Sequence, residues 1–315
     1  MRRRSLAVLA AVPLLFAAAC GSEGGSGAQA TTSAGTAPEL KVTGAVNTKP
    51  TVEFPAKVTE ASSYRVLTPG TVGTPAKDGA NVVANLTVFT WDGKQNKLVG
   101  STYDEGGPQL ITLNEQIPEI LRKGFAETKG GGRFLSVVGK DALPKEQQAQ
   151  APAGQSQVFV VDVVDVPAGK AAQGEATDPT LKGIKVENPG GEAAPKLTTK
   201  TDEKAPKELV AKTVIKGTGP EVKSGQSILV QYVGKIWGSD LEFDSSWSRG
   251  GAPIMFQIGT GRVIKGWDQG LVGVPVGSRV LLSIPPDLGY GKEGSGDKIK
   301  GTDTLVFLVD VLKAY

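Results

Sequence analysis

The chain repeats itself at domain length. Val158-Phe159-Val160-Val161-Asp162-Val163 is answered near the end by Val306-Phe307-Leu308-Val309-Asp310-Val311, and Gly124, Gly131 and Arg133 recur at unchanged spacing as Gly270, Gly277 and Arg279. Tyr103-Asp104 is paired with Phe243-Asp244. Solenoids repeat every ~20 to 50 residues, so a period this long means two copies of one globular fold. The length of 315 residues also suits two domains.

Low-complexity stretches divide the chain around these copies. Residues 21–48 are mostly Gly, Ser, Ala and Thr with few large apolar side chains, so they read as a flexible tether. A second stretch, 167–206, carries Gly-Lys-Ala-Ala-Gln-Gly, then Pro189-Gly190-Gly191, then a mixed charged run, and reads as the linker between domains. The expected organisation is a leader over 1–19, Cys20 and a tether to 48, a first domain over 54–166, the linker, and a second domain over 207–315.

Met1 to Arg4 is basic, and Leu6 to Phe16 is apolar but too short to cross a hydrocarbon core as a helix, the pattern of a secretory signal. Ala17-Ala18-Ala19-Cys20-Gly21 follows and resembles the lipobox of bacterial lipoproteins, with Ala17 where Leu is usual. This resemblance implies a lipidated Cys20 at the mature N-terminus and a protein anchored to a bacterial membrane outside the cytoplasm. The ordinary alternative is cleavage after Ala-x-Ala, which would release a soluble protein with a free thiol.

Composition removes several kinds of chemistry. The chain has no His and one Cys, which excludes Ser-His-Asp and Cys-His catalysis, His-ligated zinc and an intrachain disulfide. Its formal charge of +3 is accounted for by Arg2, Arg3 and Arg4, so the remainder is neutral and lacks the balance of a nucleic-acid binder. The reading requires no cofactor and no metal.

In the second copy, β-branched and apolar runs bounded by Gly, Pro, Asp and Ser predict strands over Leu209–Lys216, Ile228–Trp237, Leu241–Asp244, Ile254–Ile258, Arg279–Ile284 and Thr304–Leu312. From Val263 to Val272, Ile264, Trp267 and Leu271 fall on one stripe of a short helix. A bent antiparallel sheet folded over that helix is an α+β arrangement, expected in both copies. The second copy also gathers Tyr232, Trp237, Phe243, Trp247, Phe256, Trp267, Tyr290 and Phe307, more rings than one helix covers. An apolar concavity follows.

The blocks Val230-Gln231-Tyr232-Val233-Gly234, Phe243-Asp244-Ser245-Ser246, Pro253-Ile254-Met255-Phe256-Gln257-Ile258-Gly259, Val263-Ile264-Lys265-Gly266-Trp267, Pro275-Val276-Gly277-Ser278-Arg279, Gly289-Tyr290-Gly291 and Thr304-Leu305-Val306-Phe307 together resemble the FKBP-type peptidyl-prolyl isomerases. The resemblance spans about Lys207 to Tyr315. It implies a half-barrel sheet around a short helix, with a pocket for a proline ring and, in susceptible members, for macrolide inhibitors. On that pattern Trp267 is the pocket floor, while Tyr232, Phe243, Val263, Ile264 and Phe307 line its walls. Tyr290 offers its hydroxyl, Ile264 its backbone N–H and Asp244 its carboxylate, the last either to substrate or to neighbouring groups. Ile254 and Phe256 form the lip strand, and a flap over Asp287 to Asp303 brings Ile299 over the substrate. Ile254 replaces the first aromatic of the family's Phe-x-Phe, and Ser295 stands where His is frequent. These departures imply altered sequence preference or drug affinity rather than loss of basic competence.

The first copy departs further. Aligned on the repeat, Asn85, Tyr103, Leu121 and approximately Pro144 stand for Tyr232, Phe243, Trp267 and Tyr290, while Asp104 and Phe159 persist. Residues 54–166 therefore read as a degenerate copy serving as scaffold or spacer. The resulting expectation is a membrane-anchored prolyl isomerase acting on proline-containing exported polypeptides, and the rival is a tethered peptide-binding or chaperone module without catalysis.

Overall fold

The chain folds as two compact units, Met1–Val166 and Pro167–Tyr315. The computed structural model describes residues 40–315 apart from 59–60, 144–147 and 149–151. The leader, Cys20 and Pro144 lie outside the described residues.

The first unit opens with a hairpin of β1 (Lys41–Thr43) and β2 (Thr51–Glu53). There follow β3 (Ser63–Thr68), β4 (Asn81–Trp91), β5 (Asn96–Ser101), β6 (Gln109–Thr112), α1 (Glu119–Glu127), β7 (Gly132–Val138) and β8 (Ser156–Asp165). The sheet runs β3-β7-β8-β4-β5, with β6 also on β4. The second unit begins with β9 (Glu175–Ala176) and the hairpin of β10 (Lys185–Glu187) and β11 (Lys196–Thr198). It continues through β12 (Val210–Lys216), β13 (Ser227–Ile236), β14 (Glu242–Ser245), β15 (Ile254–Gln257), α2 (Lys265–Leu271), β16 (Arg279–Ile284) and β17 (Leu305–Ala314). Its sheet runs β14-β13-β17-β16-β12-β9, with β15 also on β13. Both are antiparallel sheets laid over one short helix, the α+β arrangement expected.

The central strands of each sheet are buried on both faces. Successive strand residues point to opposite sides, and β16 accordingly sends Val280, Leu282 and Ile284 to the helix-side core while Leu281 enters a second cluster. The helix approaches closely because two of its residues lack a Cβ: one added at Gly266 or Gly270 would meet Ile284 or Leu282 side chains at 2.5 and 2.8 Å. The second cluster joins Val233, Leu281, Val306 and Leu308 to Leu181, Ile184, Val186 and Leu197. Residues 167–206 are therefore no free linker. They form a strap over the outer sheet face, because a bare row of Val and Leu there would face water.

The first unit carries a matching strap. Leu40, Val42, Val52, Phe54 and Val58 pack with Trp91, Leu135, Val137, Val158 and Val160, so residues 40–48 belong to the folded unit and not to the tether. Lys41-Val42 and Lys185-Val186 open equivalent hairpins, which extends the duplication well ahead of the stretches in which it was first recognised.

A buried ion pair joins strap to sheet in each unit. Arg279, 3% exposed, grips Asp310, 1% exposed, through Nε–Oδ1 at 2.5 Å and Nη2–Oδ2 at 2.7 Å. Arg279 Nη1 also donates to Asn188 Oδ1 at 2.8 Å, and Asp310 Oδ2 accepts the Ala172 N–H at 2.9 Å, so strap groups satisfy what the pair leaves open. In the first unit Arg133 grips Asp162 identically and donates to the carbonyls of Gly44, Ala45 and Thr48. The recurring Arg and Asp of the sequence are thus the anchor of the strap.

Candidate functional site

The site lies on the helix side of the second unit's sheet. β13 contributes Tyr232, β17 Phe307, β15 Ile254 and Phe256, β14 Phe243 and Asp244, and α2 with the residues before it Val263, Ile264 and Trp267. Trp267 sits at the centre, with the rings of Phe256, Phe307 and Tyr232 at 5.3, 5.3 and 5.4 Å and interplanar angles of 79°, 83° and 86°. Phe243 meets Phe307 edge-on at 5.4 Å. Such edge contacts contribute ~0.5–1.5 kcal/mol each beyond area burial and hold the rings together as one aromatic cluster, the cup.

Gly234 allows Phe243 to lie over the sheet, since a Cβ there would meet the Phe243 ring at 2.7 Å and the Phe307 ring at 2.9 Å. Ile264 is the residue before the first helical turn, where N–H groups have no intrahelical acceptor, and its own carbonyl accepts the Trp267 and Asp268 N–H groups. The flap is a tight turn in which Ser295 and Ile299 exchange backbone hydrogen bonds at 2.9 and 3.2 Å. Ile299 is buried against the ring cluster, and Lys298 reaches the Phe243 carbonyl at 3.3 Å.

Asp244 is occupied within the protein. It accepts the Tyr232 hydroxyl, the Arg249 guanidinium at 2.5 Å and the Ser245 N–H at 2.9 Å, and Arg249 Nη2 donates to the Tyr232 hydroxyl at 2.9 Å. Through these bonds Asp244 fixes the Tyr232 ring. Arg249 escaped the sequence reading, and only its spacing of five residues from Asp244 could have drawn notice.

Burial, and then the hydrogen bond to Asp244, push the Tyr232 hydroxyl well above its ordinary range. Burial, and then the negative field of Asp244, raise the Tyr290 hydroxyl above its ordinary range. Both therefore stay protonated at neutral and mildly alkaline pH, and the chain has no His to titrate there. Any activity of this site is expected to change by less than about twofold between roughly pH 6 and 9. A bell or sigmoid centred near neutrality in kcat/KM would instead assign a proton transfer to the step.

The first unit differs in detail from the repeat alignment. Asn85 faces Asp162 as Gln231 faces Asp310, so the partner of Tyr232 is Leu86, not Asn85. The hydrogen bonds agree: Leu86 N–H donates to Thr102 Oγ1 at 3.1 Å, as Tyr232 N–H donates to Ser246 Oγ at 2.8 Å. Val88 opposes Gly100 where Gly234 opposes Asp244, with a bulge next to both, so Val99-Gly100 replaces Phe243-Asp244. Tyr103-Asp104 lies past this strand, where Tyr103 bonds Asp162 and Asp104 pairs with Lys49 on the surface. The first misalignment is a slip of one residue and the second of four, the latter drawn by the local likeness of Tyr103-Asp104 to Phe243-Asp244. Leu121 occupies the helix position of Trp267, and its cluster is filled by Phe125 and Phe134 at 5.0 Å. The cup is absent from this unit.

The second unit is thus a sheet curled around one helix, with a cluster of aromatic rings centred on Trp267 between them. Residues 219–312 match the family described as FKBP-type peptidyl-prolyl cis-trans isomerase. The FK506-binding protein of Streptomyces anulatus is 45% identical over 108 residues, covering 34% of this chain and 86% of that protein. A probable FK506-binding protein of Corynebacterium glutamicum is 43% identical over 110 residues, covering 35% and 90%. The crystal structure of AtFKBP13 aligns at 38% identity and a TM-score of 0.32, over 35% of this chain and 96% of that one. The chain belongs to the FKBP-type peptidyl-prolyl cis-trans isomerase family.

Proposed function

We propose that this isomerase is tethered to a bacterial membrane through Cys20 and accelerates rotation about X–Pro bonds of exported polypeptides outside the cytoplasm. The observation that carries the catalytic part is the aromatic cluster itself, where Trp267 is packed by three rings.

Rotation about an X–Pro bond faces a barrier of ~18–20 kcal/mol and needs no proton transfer. At the twisted transition state amide resonance is lost and the C–N dipole shrinks, so transfer from water to an apolar cup favours the twisted form over the planar one. Trp267, Phe243, Phe256 and Phe307 supply that environment, with Tyr232 held in place by Asp244 and Arg249. The Ile264 N–H and the Tyr290 hydroxyl hold the flanking carbonyls while the imide turns. A thousandfold acceleration requires only ~4 kcal/mol of differential stabilisation, which a chain without His can provide. Ile254, Val263 and Ile299 set the preference at the lip. The same cup would accept an FK506-type macrolide, the ligand for which the relatives are named. The first unit, with its cup filled, serves as a spacer.

Two experiments test this reading. A real-time isomerisation assay on the full chain should show acceleration that an FK506-type macrolide suppresses. A folded chain that binds a proline peptide without accelerating it would turn the protein into a peptide-binding module. For the anchor, metabolic labelling with a fatty acid is expected to mark the parent and to spare Cys20→Ser; label in both, or in neither, overturns the lipid tether.

A further inference from the structure

We propose that the strap segment 196–203, which precedes the residues matched by the family, is a working part of the isomerase: it sets the position of the Phe243 wall through Thr199 and Asp240. The proposal rests on the isomerase activity of the second unit.

Phe243 stands on β14, an edge strand of four residues whose sole neighbour in the sheet is β13. Pairing is interrupted by a register shift between Gly234 and Lys235, beside the point from which Phe243 must reach Phe307. The bonds of Asp244 and the contact with Phe307 hold the far end of this short edge strand, and its near end takes its position from the turn that precedes it. The turn that joins it to β13 comprises Trp237 to Leu241, and the strap grips that turn at every residue from 237 to 240. Thr199, fully buried, donates its N–H to Asp240 Oδ1 at 3.0 Å and its hydroxyl to the Ser239 carbonyl, and accepts the Gly238 N–H at 2.9 Å. The Lys200 N–H adds a second donor to Asp240 Oδ1 at 3.3 Å, and Trp237 Nε1 donates to the Glu203 carbonyl at 2.8 Å. These backbone donors hold the Asp240 carboxyl below its usual range, Thr199 foremost.

Asp240 touches no part of the cup, so it is a positioning residue acting through Phe243. Its loss should loosen the wall that closes on a bound proline ring without disturbing Trp267, Tyr232 or the rim donors. The expected signature is weaker substrate binding with an unchanged chemical step.

The test uses the full chain, with KM and kcat read separately on an X–Pro peptide and folding verified by circular dichroism. Asp240→Ala is expected to raise KM about three- to tenfold with kcat within about twofold of the parent. Asp240→Asn keeps an oxygen for the Thr199 and Lys200 N–H groups and should stay near the parent. In a Phe243→Ala background, Asp240→Ala should add nothing further, because the wall it positions is gone. A folded Asp240→Ala with the parent's KM overturns the proposal, and so does an equal rise in KM with and without Phe243. Absence of turnover in the parent would instead remove the activity on which the proposal rests.

Discussion

Copying the first unit's residues into the second, as Tyr232→Leu, Phe243→Val and Trp267→Leu together, is expected to leave a folded protein whose kcat/KM falls about a hundredfold or more. The substitutions are those found at equivalent positions, Leu86, Val99 and Leu121, in a unit that keeps the same sheet order and helix. Trp267 is the hub, since three ring contacts converge on it within the buried apolar cluster. Replacing it by Leu removes the flat floor, and losing Phe243 opens the wall to water, which restores solvation of the planar amide. A hundredfold loss corresponds to about 2.7 kcal/mol of transition-state stabilisation, a modest demand on three large apolar groups. The measurement is the isomerisation rate of the full-length triple variant, with near-UV circular dichroism to verify packing. A folded variant with the parent's rate would mean that catalysis occurs elsewhere.

The largest effect on stability is expected from Asp310→Ala. Among the described residues its carboxylate is the sole anionic partner of Arg279, at a site where both side chains are almost fully buried, and it also holds the Ala172 N–H of the strap. Removing one member of such a pair leaves a buried charge uncompensated, at ~3–5 kcal/mol. A typical slope of ~2 kcal/mol per molar urea converts this to a midpoint lower by about 2 M. Loss of isomerase activity on titration with urea reports the second unit specifically. The strap should become accessible to protease in the same variant, because it loses its anchor. An unchanged midpoint would show that the pair is dispensable and that apolar contacts alone hold the strap.

Much of the second unit was legible from local signals. Each predicted strand and the helix agree with the structure to within about two residues, because runs such as Arg279–Ile284 are β-branched, bounded by turns and continuous. The residues of the cup, from Tyr232 on β13 to Phe307 on β17, were named from motif blocks and are brought together by the fold. The strap was missed although a signal for it existed. A strand that faces water on one side alternates apolar and polar residues, whereas Leu305-Val306-Phe307-Leu308-Val309 does not alternate at all. Such a run needs cover on both faces, and residues 167–206 were the chain available to provide it. Their Gly and Pro content concealed Leu181, Ile184, Val186 and Leu197, which are few but suffice for one thin layer.

The sequence by itself determined the duplication, the strand and helix periods, the exclusion of His- and Cys-based chemistry, and the types of residue that build an apolar site. These depend on composition and on neighbours close along the chain. Tertiary structure alone decided that Arg249 joins Asp244 in fixing Tyr232, that Leu86 and Val99 occupy the places of Tyr232 and Phe243, and that Thr199 holds the turn leading to the pocket wall. Register across a bulged sheet and contacts between residues forty positions apart follow from how strands pair in space. Spacing along the chain carries no record of either.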